Sequence, residues 1–154
     1  MQRFLSSLTV SVVALAGMVS ALPAAAQFAT PEAAIKYRKS AMSLEMTHLG
    51  RIFAMANGRV PFDAKVAAEN AEILAALSKW QFTGFVGGSD KGDTQARPEI
   101  WSEAAKFKEK AVKSQEDVIK LNAAAKTGSL DAIKTAAGAV AQSCNACHDV
   151  YRNE

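Results

Sequence analysis

From Thr30 onward, apolar residues return every three or four positions, and no useful stretch alternates with the period of two that a strand needs. That spacing predicts helices. Thr30-Pro31-Glu32 opens the first, with a capping hydroxyl, proline at the first helical position and an acid in the first turn. Ile35, Met42, Met46, Leu49, Phe53 and Ala56 mark its expected inner face, and Asn57-Gly58 stops it. Asp63 can cap a second helix, with Val66, Ile73, Leu74 and Leu77 expected inward. Pro98-Glu99 starts a third, with a seam of Ile100, Ala104, Phe107, Ala111, Val118, Leu121 and Ala125 in which Ser114 fills the one gap. Gly128 ends it and Ser129 caps the fourth, whose seam is Leu130, Ile133, Ala137, Val140, Cys144, Cys147 and Tyr151. Such seams, mostly joined by short connections, predict an all-α fold, an antiparallel four-helix bundle. The exception is Trp80 to Arg97, which holds Gly84, Gly87, Gly88 and Gly92. A connection of that length is either functional or a sign that an element boundary lies inside it.

The first 26 residues follow a different pattern. Arg3 is their only charge, an apolar run from Phe4 to Val19 follows, and Leu22-Pro23 precedes the small residues Ala24-Ala25-Ala26. A positive end, a short apolar middle and an A-x-A site predict a secretory signal peptide over 1–26, which is short for a membrane anchor. Cleavage leaves a single bundle domain over 27–154, expected in the periplasm and free of the membrane. Composition adds little to this. The chain of 154 residues is 49% hydrophobic and 21% charged, with a formal charge of +3 and both signs mixed throughout. It has no block of like charge of the kind that binds nucleic acid or a membrane surface.

The chemistry gathers near the C-terminus. Both cysteines of the chain fall in Cys144-Asn145-Ala146-Cys147-His148, three residues apart and so on one helical face. Two thiols at that spacing can add to the two vinyl groups of one porphyrin, and the histidine that follows can reach its iron. The motif therefore predicts one covalent haem c held by Cys144 and Cys147, with His148 as the metal ligand. A redox disulfide of this pattern usually opens a helix in an α/β domain, which is absent here. A structural zinc site needs four ligands, and the only other histidine is His48. Only six residues follow His148, none of them Met or His, so any sixth ligand must come from an earlier helix.

These features resemble the cytochrome c′ family, the class II cytochromes c. The resemblance rests on Cys144 to His148 with Asp149-Val150-Tyr151-Arg152 after it, on Tyr37-Arg38 with Met42 following, and on Ala96-Arg97-Pro98-Glu99-Ile100-Trp101. It covers essentially the whole chain after residue 26. It implies a four-helix bundle with haem among the helices, histidine as the sole protein ligand and an apolar side chain from the first helix over the open face. That position corresponds to Met42. The resemblance also implies binding of nitric oxide and carbon monoxide with discrimination against dioxygen, transfer of single electrons to an unidentified redox partner, and a homodimer. A tightly packed apolar pocket offers no hydrogen bond to a partly anionic dioxygen, which agrees with that selectivity.

Around the haem, the resemblance places Arg38 and Lys39 near the propionates, Asp93 near the haem edge and Arg152 beside the proximal histidine. Each also has a plain reading, as a solvated polar residue or a terminal arginine. Met42 has two functional readings. It packs over a five-coordinate iron, or its thioether completes a low-spin, six-coordinate electron carrier. His48, between apolar positions on the first helix, is expected at the surface or an interface. No second histidine or arginine is clearly placed as a distal acid–base pair, so the chain reads as a gas-binding or electron-transfer protein and not an enzyme.

Overall fold

A computed structural model describes residues 27–154. The signal peptide expected over 1–26 lies outside the described residues. Four long helices form the bundle: α1 (Pro31–Ala56), α2 (Ala64–Leu77), α4 (Ala104–Lys126) and α5 (Leu130–Tyr151). Between α2 and α4 lie a 3₁₀ turn (Gln81–Gly84) and a single-turn helix, α3 (Glu99–Ser102). Contacts run from α1 to α2, α2 to α4, α4 to α5 and α5 back to α1, which closes the ring of a four-helix bundle.

The helix starts form as their sequences predict. The Thr30 hydroxyl accepts from the Ala33 amide, Asp63 from the Lys65 and Val66 amides, and Ser129 from the Ala132 amide. Each satisfies backbone donors that the first turn leaves free. Gly58 and Gly128 take positive φ (69° and 70°) just past α1 and α4, where a side chain would be strained.

Three expectations are corrected. The third helix is not continuous: Glu103, at φ −115° and ψ 39°, breaks it into α3 and α4, and Ala104 is exposed. On α2, Val66 and Ile73 face solvent at 40% and 43% exposure, whereas Ala67, Asn70, Ala71 and Leu74 face inward. Small residues on that seam, Ala67 and Ala71, let the neighbouring helices approach closely beside Leu74, and this sets the phase of α2. On α1, Met46 is 60% exposed, and Leu130 at the head of α5 is also exposed.

The bundle has two unlike halves. In one, Leu49, Ile52, Met55, Ala67, Ala71, Leu74, Val118, Leu121, Ala125, Ile133, Ala137 and Val140 form a continuous core. Burying each large aliphatic side chain there contributes about 1.5–3 kcal/mol, so this half secures the fold. In the other half the helices frame a cavity.

Candidate functional site

The cavity has a volume of about 880 Å³, near the upper end of the ~300–1,000 Å³ usual for cofactor and small-molecule sites. α1 supplies Met42, Leu49 and Phe53 to its wall, and α5 supplies Ala141, Cys144, Cys147 and His148. Phe82, Phe85, Phe107 and Tyr151 close another side. Their rings interlock: Phe107 meets Phe85 at 4.9 Å, Tyr151 at 5.3 Å and Phe82 at 6.0 Å between centroids, each edge to face. Phe82 and Phe85 belong to the long connection, and their place in the wall went unread in the sequence. A glycine-rich segment carrying three aromatic residues, Trp80, Phe82 and Phe85, was the available signal.

α5 brings Cys144, Cys147 and His148 together on one cavity wall, all half-buried, with both thiols free. Burial pushes the Cys144 thiol up, and the nearby Glu45 carboxyl adds to the effect. Burial also raises the Cys147 thiol, against the pull of Lys110. The His148 imidazole is lowered, first by burial and then by Arg152. A neutral imidazole is the form that can ligate a metal. Among the described residues no cluster of three or more His, Cys, Asp or Glu side chains could hold a metal ion by itself.

Arg38 is nearly inaccessible at 2% exposure. Its two terminal nitrogens donate to the Gly84 carbonyl (2.8 Å), the Ser89 hydroxyl (2.6 Å), the Ser89 carbonyl (2.7 Å) and the Thr94 hydroxyl (2.7 Å). The guanidinium also lies 4.5 Å from the centre of the Phe85 ring. Gly84 sits so close to α1 that a Cβ there would come within 2.8 Å of the Ala34 carbonyl and of Arg38 Cβ. Arg38 thus ties the long connection to α1, while still lining the cavity. Among the described residues no carboxylate pairs with it, and burial lowers its basicity.

Lys39 and Asp93 form an exposed salt bridge at 2.6 Å on the cavity rim, a contact worth about 0–1 kcal/mol. Arg152 does not extend α5, because it is already in an extended conformation at φ −122° and ψ 135°. Its Nε donates to Gln95 Oε1 at 2.9 Å, and its backbone bridges to Ala96. The residue still lines the cavity. His48 pairs through Nδ1 with Asn70 Oδ1 at 2.9 Å, which joins α1 to α2.

The inner face of α1 is less apolar than its sequence suggested. Glu45 sits at the centre of that face, where an apolar pattern gives no sign of a carboxyl. Its Oε1 is buried without a hydrogen-bond partner.

An apolar chamber inside a helical bundle, with C-x-x-C-H on one wall and a buried cation on another, has the features of a haem-binding bundle protein. The donor set fits that group: two thiols at anchoring spacing, a neutral imidazole beside them and a cation without a counter-charge. The family model for cytochrome c′ matches residues 33–152. Cytochrome c′ of Alcaligenes xylosoxydans xylosoxydans is 47% identical over 128 residues, covering 83% of this chain and 99% of that protein. The crystal structure of cytochrome c′ from Rubrivivax gelatinosus superposes with a TM-score of 0.80 at 49% identity, covering 82% of this chain and 100% of that one. A nitric oxide complex of a variant of the Alcaligenes xylosoxidans protein gives a TM-score of 0.78 at 46% identity, covering 82% and 99%. This chain belongs to the cytochrome c′ family, and the family implies a covalently bound c-type haem.

Arg38→Met should remove all four donors and leave two carbonyls and two hydroxyls to find other partners. Each buried acceptor left unpaired costs roughly 1–3 kcal/mol, so the denaturation midpoint should fall markedly. Cleavage by a broad-specificity protease should then begin within residues 85–97. Arg38→Lys should not restore stability, because one ammonium cannot span four acceptors set around a planar fork.

Proposed function

We propose that the chain is a periplasmic haem protein that binds nitric oxide and carbon monoxide at a five-coordinate iron and passes single electrons. The observation that carries this reading is the sharing of one cavity by Cys144, Cys147 and His148 from α5 and Met42 from α1. Cys144 and Cys147 hold one haem c by thioether bonds, and His148 is its sole protein ligand. When bound, the haem supplies an iron that takes diatomic gases and exchanges electrons. Burial and Arg152 keep the His148 imidazole neutral and ready to ligate. Arg38 and Lys39 offset the two haem carboxylates, while Asp93 and Arg152 close the rim. Met42 packs over the open face and restricts what can enter. Residues 1–26 act as the export signal and are removed, leaving 27–154 as the functional domain. Among the described residues no helix is long and apolar enough to cross a membrane.

Acid-acetone extraction should leave haem on the denatured polypeptide, with a mass increased by one haem. Free haem in the extract beside an unmodified polypeptide would overturn the covalent assignment. Met42→Ala should relieve crowding over the iron and raise carbon monoxide affinity on the order of tenfold, the equivalent of about 1.4 kcal/mol. An unchanged or lower affinity in a flash-photolysis titration would remove Met42 from that role.

A second copy of the chain is the proposed partner, packed through α1 and α2. The large apolar side chains these helices do expose are Leu44, Met46, Val66 and Ile73. Light scattering at micromolar concentration should give twice the chain mass, and Ile73→Lys should shift it to one.

A further inference from the structure

Arg38, Met42, Glu45, Leu49 and Ile52 follow one another on α1 at spacings of four, three, four and three. That rhythm sets all five on one stripe, with Glu45 in its middle. Met42 and Leu49, on either side of it, line the cavity. The charge of Glu45 is felt at the Cys144 thiol, so the carboxyl faces the α5 wall. Its Oε1 is buried and makes no hydrogen bond.

Among the described residues nothing around this carboxyl neutralises it. α2 turns Ala67, Asn70, Ala71 and Leu74 inward, none of them ionisable. The turn Gln81–Gly84 contributes Gln81 and Gly84 as its buried residues. α5 offers Cys144, which becomes an uncharged thioether once haem is attached. Beyond it on α4, Asp117 is already held by Lys113 and Lys120. On α1 itself, Arg38 is bound to the long connection and His48 to Asn70. Burial alone therefore pushes the Glu45 carboxyl up to about 8.

We propose, resting on the haem reading above, that Glu45 is a redox-linked proton site, taking one proton from solvent as the haem anchored at neighbouring Cys144 takes one electron. The carboxylate and a proton become a carboxylic acid, while an electron from a one-electron donor reduces ferric iron to ferrous. On oxidation the electron leaves, the O–H bond breaks and the proton returns to water. The pocket therefore keeps the same net charge in both states. Charges separated by low-dielectric protein interact strongly, so carboxylate at this position favours ferric iron and the acid form favours ferrous. By linkage, proton affinity is higher in the reduced state, and the reduction potential must fall as pH rises through the window between the two proton affinities.

The test is potentiometric titration of the intact holoprotein with one-electron mediators, from about pH 5 to about pH 10, which spans ordinary and raised carboxyl values. The potential should be level in acid, fall around the value of about 8 given by burial, and level again. Glu45→Gln should hold its potential at the acid-limb level throughout and lose the fall. Redox-difference infrared spectra of the wild type within the falling window should show a carboxylic C=O band gained on reduction, shifted by carbon-13 glutamate and absent in Glu45→Gln. A fall that persists in Glu45→Gln overturns the proposal. So does a wild-type carboxyl band that glutamate labelling leaves in place, a result that stands even if the variant fails to fold. Lack of covalent haem by mass defeats the reading beneath the proposal, whereas covalent haem with a wild-type potential independent of pH defeats this proposal alone.

Discussion

Among the described residues no carboxylate pairs with the buried Arg38 guanidinium, so it must find its hydrogen bonds among carbonyls and hydroxyls, and it finds them in the connection between α2 and α3. That constraint shapes the open half of the bundle. Four helices packed along their full length would leave no chamber. Here the core from Leu49 to Val140 closes one half, and the other half stays open because a folded connection fills the space between helix ends. Arg38 fixes that connection from α1, and the C-terminus fixes it from α5 through Arg97 to Tyr151 and Asn153 to Gln95 backbone bonds. With both sides pinned, Phe82 and Phe85 become wall residues and not loop residues. A cation left without a counter-ion also gives the chamber a preference for a ligand that brings carboxylates.

The functional reading draws on three unequal walls. α5 carries the groups proposed to anchor and ligate the haem, and burial favours the neutral form of its histidine. The aromatic wall is rigid and apolar, suited to the face and edge of a flat macrocycle. α1 combines bulk at Met42 with a carboxyl at Glu45, so the same helix would govern both access to the iron and the charge near it. Steric and electrostatic control then sit one helical turn apart.

Much of this was legible in the sequence. The caps at Thr30, Asp63 and Ser129 announce themselves because a short polar side chain before an apolar-periodic run has few other uses. The pentapeptide from Cys144 to His148 points to covalent haem because all the cysteine of the chain is spent there, and α5 brings its three side chains to one cavity wall. What was not legible depended on tertiary context. The phase of α2 is set by where alanines permit close approach, so Val66 and Ile73 face solvent despite their hydrophobicity. The break at Glu103 lacks a glycine or proline to mark it. An apolar pattern cannot register Glu45, a charged residue turned inward, whereas Met46 borders the cavity although it is 60% exposed. Arg38 as a clamp required knowing where the connection folds back, which only the assembled bundle provides.

The absorption spectrum of the purified ferrous protein, recorded with and without carbon monoxide, tests the central claim most directly. It reports spin state and open coordination in one experiment. A five-coordinate iron held by His148 alone should give a broad high-spin ferrous spectrum that converts to a sharp complex on adding the gas. Sharp low-spin bands before the gas is added, with a sulfur-to-iron charge-transfer band in the ferric form that Met42→Ala abolishes, would contradict it and place Met42 on the iron.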